Sequence, residues 1–383
     1  MRMLILGGGL MGRAAAYDMA RQDDVERVVV ADVDPRRLEE TLEVAASGKV
    51  EAVDMDVRDR ERVLAAMREA DAVLGAVSYT ANLDLSRLAI EAATHFNDMG
   101  GNNTVVSAQL ELDAEARAAG VSIIPDTGLA PGMVSILAMH GLRAMDAAED
   151  VRLRVGGLPR NPTGALKYLR VFSVQGLINE YVEPCVAIRN GRIRNDIEPL
   201  LDVETIEFPP PFGTLEAFNT SGGTSTLPRT LLGKVTNLDY KTIRYRGHAA
   251  QMRAMFELGL MSDHPIEVAG ARIAPRAVLE ALIDANVPKD AEDVVLVRVT
   301  VEGKRDGRKA RAVYEMIDSR DPASGLSAMM RGTAFPSSIV CLMMARGQTP
   351  PGATPQELAV DGDLFIEEIV KRGLPLEIRH HIE

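Results

Sequence analysis

Residues 7–12 read Gly-Gly-Gly-Leu-Met-Gly, directly after the apolar run "RMLIL" and at the opening of a helical pattern. This is the spacing G-x-G-x-x-G, and each glycine has a separate task. Gly7 permits a tight turn, Gly9 lets backbone approach a pyrophosphate, and Gly12 allows a helix to pack closely on a strand. Leu10 and Met11 belong to the first helical turn, whose free N–H groups and positive dipole end attract phosphate. Asp32 closes the next apolar run, 20 residues after Gly12. An acid at that place accepts hydrogen bonds from the adenosine ribose and repels a 2′-phosphate, which favours NAD. Arg36 and Arg37 follow closely and keep NADP open. A bare glycine turn and a strand-closing acid would look similar, but loop, strand, helix and acid agree in register.

The elements around this loop are those of a dinucleotide-binding sheet. Short apolar runs alternate with amphipathic stretches six times within residues 2–124. That alternation predicts a doubly wound parallel sheet of the Rossmann type. Asp56 and Val57 are expected to end the third strand, near an adenine edge. Ala76, Val77 and Ser78 follow the fourth strand. They either border the cofactor's path or simply turn the chain. Ligands of such sheets lie beyond the carboxyl ends of the strands. Two more loops should therefore face the cofactor: "FNDMGGNN", with Asp98, Gly100, Gly101 and Asn102, and "DTGLAPGM", with Gly128, Pro131 and Gly132. Pro131 is expected to preset the first turn of a buried helix over 133–145.

Beyond residue 150 the texture changes to strand-like runs, including "VRLRVGGLP", "ALKYLRVFS", "CVAIRNGRI", "KTIRYRGH" and "DVVLVRVTVEGKR". "RNGR" and "KRDGRK" are hairpin signals. They predict an α+β region with a mixed or antiparallel sheet. "FPSSIVCLMMARGQ" reads as an apolar helix with Pro336 near its start, and "TPPGATPQE" as a proline-rich connector. The chain has 383 residues and a net charge of −12 without a basic stripe, which argues against nucleic-acid binding. No apolar run approaches the length of a membrane span, and the N-terminal run is too short for a secretory signal, so no membrane association and a cytoplasmic location are expected. Two cysteines cannot form a disulfide framework, and no histidine spacing suggests a metal site.

The motifs "GGGLMG", "NDMGGNN", "DTGLAPGM", "FSVQGLINEYVEP", "TSGGTSTLP", "KTIRYRGH" and "GLSAMMRGTAFPSSI" occur in this order. Together they resemble the saccharopine dehydrogenase/reductase-like superfamily, and within it the lysine 6-dehydrogenase group. The resemblance runs from residue 3 to about residue 346. It implies a dinucleotide-binding domain over 1–130, a substrate-binding and dimerising domain over 131–330, and a segment over 331–383 that returns to the first domain. It also implies a homodimer that oxidises the side-chain amine of an amino acid with NAD. Thr127 and Arg246 depart from the pattern, standing where Cys or Ala, and Pro, are expected.

Such a reaction needs a carboxylate binder and a proton acceptor. The guanidinium fork suits the first task, and Arg244 is the candidate, with Arg246 as a rival on the same strand face. Asp98, Glu180, His248 and Tyr79 are candidates for moving protons. Three of them also have a plain structural alternative: a turn cap for Asp98, an exposed acid for Glu180, a core histidine for His248. Asn179 and Thr226 are candidate substrate contacts. Three functions remain: deamination of L-lysine or a close diamino acid, a saccharopine- or carboxyspermidine-type reductase step, or cofactor binding without turnover. The second would need a further carboxylate binder, for which Arg170, Arg246 and Arg331 are available.

Overall fold

The computed structural model describes residues 1–171, 173–289 and 291–383. Phe172, inside the "FSVQGL" motif, lies outside them. The first sheet is parallel throughout. Its strands run in the order Gly352–Ala353, Ser122–Ile124, His95–Asp98, Ala72–Gly75, Arg2–Leu6, Arg27–Asp32, Val50–Asp54. The central strands are apolar on both faces because helices cover both sides. Six of the seven strands are those expected. The seventh comes from "TPPGATPQE", read above as a connector. It pairs in parallel with Ser122–Ile124, and Gly352 N–H donates to the Val121 carbonyl at 2.8 Å. A strand of two residues carries no periodicity to read. The third strand ends at Asp54, so Asp56 and Val57 lie in the following turn, where Arg58 pairs with Asp56.

The second sheet is mixed, as expected. Its main path runs Glu204–Phe208, Gly213–Asn219, Asn237–Arg244, Ala147–Pro159, Asp293–Arg305, Arg308–Ser319, Leu376–Ile382. Only the pair Asn237–Arg244 and Ala147–Pro159 is parallel. Both hairpin signals fold as read. Asn190 and Gly191 have φ of 51° and 73°, and Asp306 and Gly307 have 53° and 73°. Two successive left-handed residues match the twist of the flanking strands. The run "ALKYLRVFS" forms no strand among its described residues.

The helix Ala328–Ala345 joins the two sheets. It packs on the first helix, Leu10–Ala20, on strands of the first sheet, and on Asp293–Arg305 of the second. It begins well before "FPSS", so Pro336 lies in its interior and not near its start. Ser327 caps it through Met330 N–H, and the Asp293 carboxylate accepts from Ala328 and Met329 N–H at 2.8 Å each. Those acceptors fix an N-terminus that apolar patterning does not mark. Contrary to the expectation that no apolar run approaches a membrane span, among the described residues this one helix is long and apolar enough to cross a bilayer, and here it is buried in protein.

Candidate active site

The glycine loop meets the strand end as its spacing requires. A Cβ at Gly12 would lie 1.8 Å from the Gly7 carbonyl oxygen, and one at Gly7 would lie 2.5 Å from that of Ala76. A Cβ at Gly9 would meet nothing within 4 Å, so the backbone there faces open space. Gly9 caps the helix Leu10–Ala20 with no side-chain hydrogen bond, and no acid sits in the first turn. The first N–H groups are thus left for an anion. Asp32 is buried and accepts from Gly8 N–H at 2.7 Å and Asp34 N–H at 2.9 Å. Arg37 lies 3.6 Å from it. These residues fit a nicotinamide dinucleotide: open backbone for the pyrophosphate and an oriented acid for the ribose.

Beyond the strand ends, a cavity of about 360 Å³ opens between the two sheets. Met11, Ala76, Val77, Gly100, Gly128 and Pro131 line its cofactor side, and Glu180, Tyr240, Thr242 and Arg244 the opposite side. Val155, Gly157, Met329 and Thr333 close it further. Tyr240, Thr242 and Arg244 alternate along one strand, so all three present the same face. Placing Arg244 correctly would have delivered the other two by that rule alone.

Arg244 is buried. One Nη donates to the Ile243 carbonyl at 2.9 Å, the guanidinium lies 5.1 Å from the Tyr168 ring centroid, and Nε has no partner. A buried donor left open next to a cavity suits a ligand carboxylate. Glu180 stands near Arg244 and Glu183. Burial pushes its carboxyl up to about 7, against the pull of the Arg244 charge. It can therefore exchange a proton near neutrality.

The remaining candidates do not line the cavity. His248 is buried, and its Nδ1 lies 2.8 Å from the Leu166 carbonyl. That oxygen only accepts, so Nδ1 carries the proton and Nε2 accepts from Tyr181 Oη at 3.0 Å. Burial and the Arg244 charge push the imidazole down to about 3, so it stays neutral and buttresses Tyr181. Asp98 is buried behind Gly100, accepting from Gly100 N–H and Gln109 Nε2 at 2.7 Å each, with its carboxyl pushed up to about 6 by burial. Tyr79 faces Gly101, where a Cβ would lie 3.2 Å from its ring. Asn179 accepts from Arg276 at 2.6 Å, and Thr226 donates to Glu357 at 2.9 Å. Ser78 is exposed and accepts from Thr80.

The "DTGLAPGM" turn is positional, though not as a helix start. Pro131 has φ −73° and ψ 160°, which is extended, and the helix begins at Val134. Gly132 has φ 128°, and a Cβ there would lie 2.7 Å from the Thr127 carbonyl carbon. Thr127 is buried away from the cavity, donating to the Asp98 carbonyl and accepting from Asn97 Nδ2, at 2.8 Å each. Arg246 lies beyond the strand's end and is exposed, so it shares no face with Arg244.

A parallel nucleotide-binding sheet facing a mixed sheet across a largely apolar cavity that holds Glu180 and Arg244 defines a dinucleotide-dependent protein. Residues 3–124 match the saccharopine dehydrogenase NADP binding domain, and residues 128–374 the saccharopine dehydrogenase C-terminal domain. The chain belongs to the saccharopine dehydrogenase family. It is 24% identical over 272 residues to a saccharopine dehydrogenase [NADP(+), L-glutamate-forming] of Pyricularia oryzae, covering 68% of this chain and 58% of that protein. The Saccharomyces cerevisiae protein of that name is 22% identical over 293 residues, with 74% and 64% covered. The chain thus spans about three fifths of these relatives' length. A solved structure of saccharopine dehydrogenase (L-Glu forming) from Saccharomyces cerevisiae shares the fold with TM-score 0.81 at 18% identity, over 99% of both chains. Homospermidine synthase from Legionella pneumophila, in complex with NAD, gives 0.69 at 12% identity, over 100% of this chain and 91% of that one.

Proposed function

We propose that this protein oxidises the side-chain amine of L-lysine or a close diamino acid bearing one carboxylate. The observation that carries the reading is the cavity's charge pattern. Among the described residues that line it, Arg244 is the one cation, and its Nε is open. The other arginines considered for a second carboxylate are engaged or outside. Arg170 pairs with Asp284, Arg331 with Asp318 at 3.1 Å, and Arg246 is exposed. A substrate with one carboxylate matches one guanidinium.

In this reading Arg244 holds the α-carboxylate and so fixes the distance to the reacting carbon. Glu180, ionised, takes a proton from the substrate ammonium and leaves a neutral amine. A bound nicotinamide would accept the hydride from the carbon that bears this amine. Glu180 passes that proton to solvent; water then adds to the imine carbon, Glu180 takes a proton from the water and returns it to the nitrogen, the C–N bond breaks, and ammonia leaves an aldehyde behind. Asp32 supports NAD as the preferred cofactor. Mixing the protein with L-lysine and NAD should raise the absorbance of reduced cofactor with one ammonia per hydride. No reduction with any diamino acid between pH 6 and 10 would overturn the proposal.

The family tie favours a second reading, in which the oxidised bond belongs to a secondary amine and an amino acid leaves in place of ammonia. The same assay decides, because only the first reaction releases ammonia.

A further inference from the structure

We propose that Asp126 is a positioning residue whose carboxyl group clamps the two walls of the cavity together. For its purpose the clamp rests on the catalytic reading above; its existence does not. Asp126 follows the strand Ser122–Ile124, is 1% exposed, and has φ 61°. Asp and Asn are the side chains that tolerate this region best, so the position suits its residue. One carboxyl oxygen, Oδ2, accepts from the Ser225 hydroxyl. The Gly101 N–H pulls on the carboxyl, and the other oxygen, Oδ1, makes no well-aligned hydrogen bond. It fills the space beside Gly100, where a Cβ would lie 1.7 Å from it. Gly100 lines the cavity on the cofactor side.

Ser225 leads to the other wall. Its loop contains Gly223, where a Cβ would lie 2.5 Å from atoms of the Tyr240 ring. Tyr240 lines the cavity opposite Gly100. The path Gly100, Asp126, Ser225, Gly223, Tyr240 therefore links both walls through one carboxyl group. The charged groups that face it are Asp98, on the strand His95–Asp98, and Glu357, on the helix Gln356–Ala359. Thr226 and Thr230 both donate to Glu357, which anchors the far end of the Ser225 loop. Burial, and then the charges of Asp98 and Glu357, push the Asp126 carboxyl up to about 7. A protonated carboxyl keeps the clamp free of repulsion from both acids.

Amide hydrogen exchange of the full-length protein tests the clamp without requiring turnover. Ser225→Ala and Asp126→Ala should speed exchange in both segments 98–101 and 221–226. Asp126→Asn, with the same shape and no charge, should match the wild type. In the amine oxidation assay, the two alanine variants should lose roughly tenfold or more in kcat with KM little changed, as expected for misplaced reactants. Should Asp126→Ala fail to fold, Ser225→Ala carries the test. Exchange that rises only in 221–226 for Ser225→Ala, or an Asp126→Asn variant that behaves like Asp126→Ala, overturns the clamp. A wild type that oxidises no amine defeats the proposed function and leaves the exchange result to decide this one.

Discussion

Glu180 and Arg244 divide the chemistry of the cavity between them. On the proposed reading, Glu180 must be ionised to accept a proton, and burial holds its carboxyl near 7. The rate should therefore rise with pH through about 7, and below that the protonated acid is idle. Glu180→Gln should lower kcat by about 10²- to 10⁴-fold and abolish that acid limb. Arg244→Ala removes the group that binds the carboxylate and fixes the reacting carbon, so it should raise KM by about ten- to a hundredfold and lower kcat too, and without its charge the acid limb should move to higher pH. Steady-state kinetics across pH check both. Sequence reasoning reached these two residues through motifs, yet it also named His248, Asn179 and Thr226. Their partners explain the difference: Tyr181, Arg276 and Glu357 lie far along the chain. A side chain satisfied by a distant partner looks free when only its neighbours in sequence are visible.

At the level of elements, the glycine loop separates folding from binding. Gly12→Ala would place a methyl group 1.8 Å from the Gly7 carbonyl, and overpacking of that kind costs about 1–3 kcal/mol. Gly9→Ala meets no protein atom within 4 Å. The first variant should melt earlier than the wild type. The second should melt normally without cofactor, yet bind NADH more weakly by fluorescence titration. Equal effects of both on melting would contradict the assignment of the open space to the pyrophosphate. The loop was legible because its rule is local, as were the hairpins at Asn190–Gly191 and Asp306–Gly307. The strand Gly352–Ala353 was not, because it exists only where Ser122–Ile124 offers an edge. The start of the helix Ala328–Ala345 was hidden similarly, since Asp293, far upstream, supplies part of its cap. Local chemistry shows in a sequence, whereas partners recruited across the fold do not.

The whole molecule is sewn together by its C-terminal segment, which gives a strand to each sheet and pairs Arg372 with Asp18 at 2.7 Å and Arg346 with Asp24 at 2.8 Å. With Ala328–Ala345 packed between the sheets, neither half can unfold without exposing that apolar helix, which couples the two halves in one transition. The pH dependence of that transition follows from the acids buried around the cavity and at the helix junctions. Asp98 and Asp318 are pushed up from 3.8 to about 6, Asp126 from 3.8 to about 7, and Glu180 from 4.5 to about 7, chiefly by burial. Between these limits the folded state holds more protons than the unfolded one, so stability falls as pH rises. His248 opposes this: held down to about 3, it costs stability as pH falls below its ordinary 6.5. Burial holds His95 down as well, and raises Asp18 and Glu357, so six carboxyls against two imidazoles leave the net slope negative from about pH 5 to 7. Below about pH 4 the trend reverses, because the salt-bridged Asp24 and Asp239, whose carboxyls are held below the usual range, become protonated and lose their pairs. The cofactor-free protein should accordingly melt at a higher temperature at pH 5 than at pH 8. Asp126→Asn, which cannot ionise, should flatten that difference. A melting temperature that rises steadily from pH 5 to 8 would mean that these carboxyls are solvated in the folded state, and would remove the physical basis for a proton-accepting Glu180.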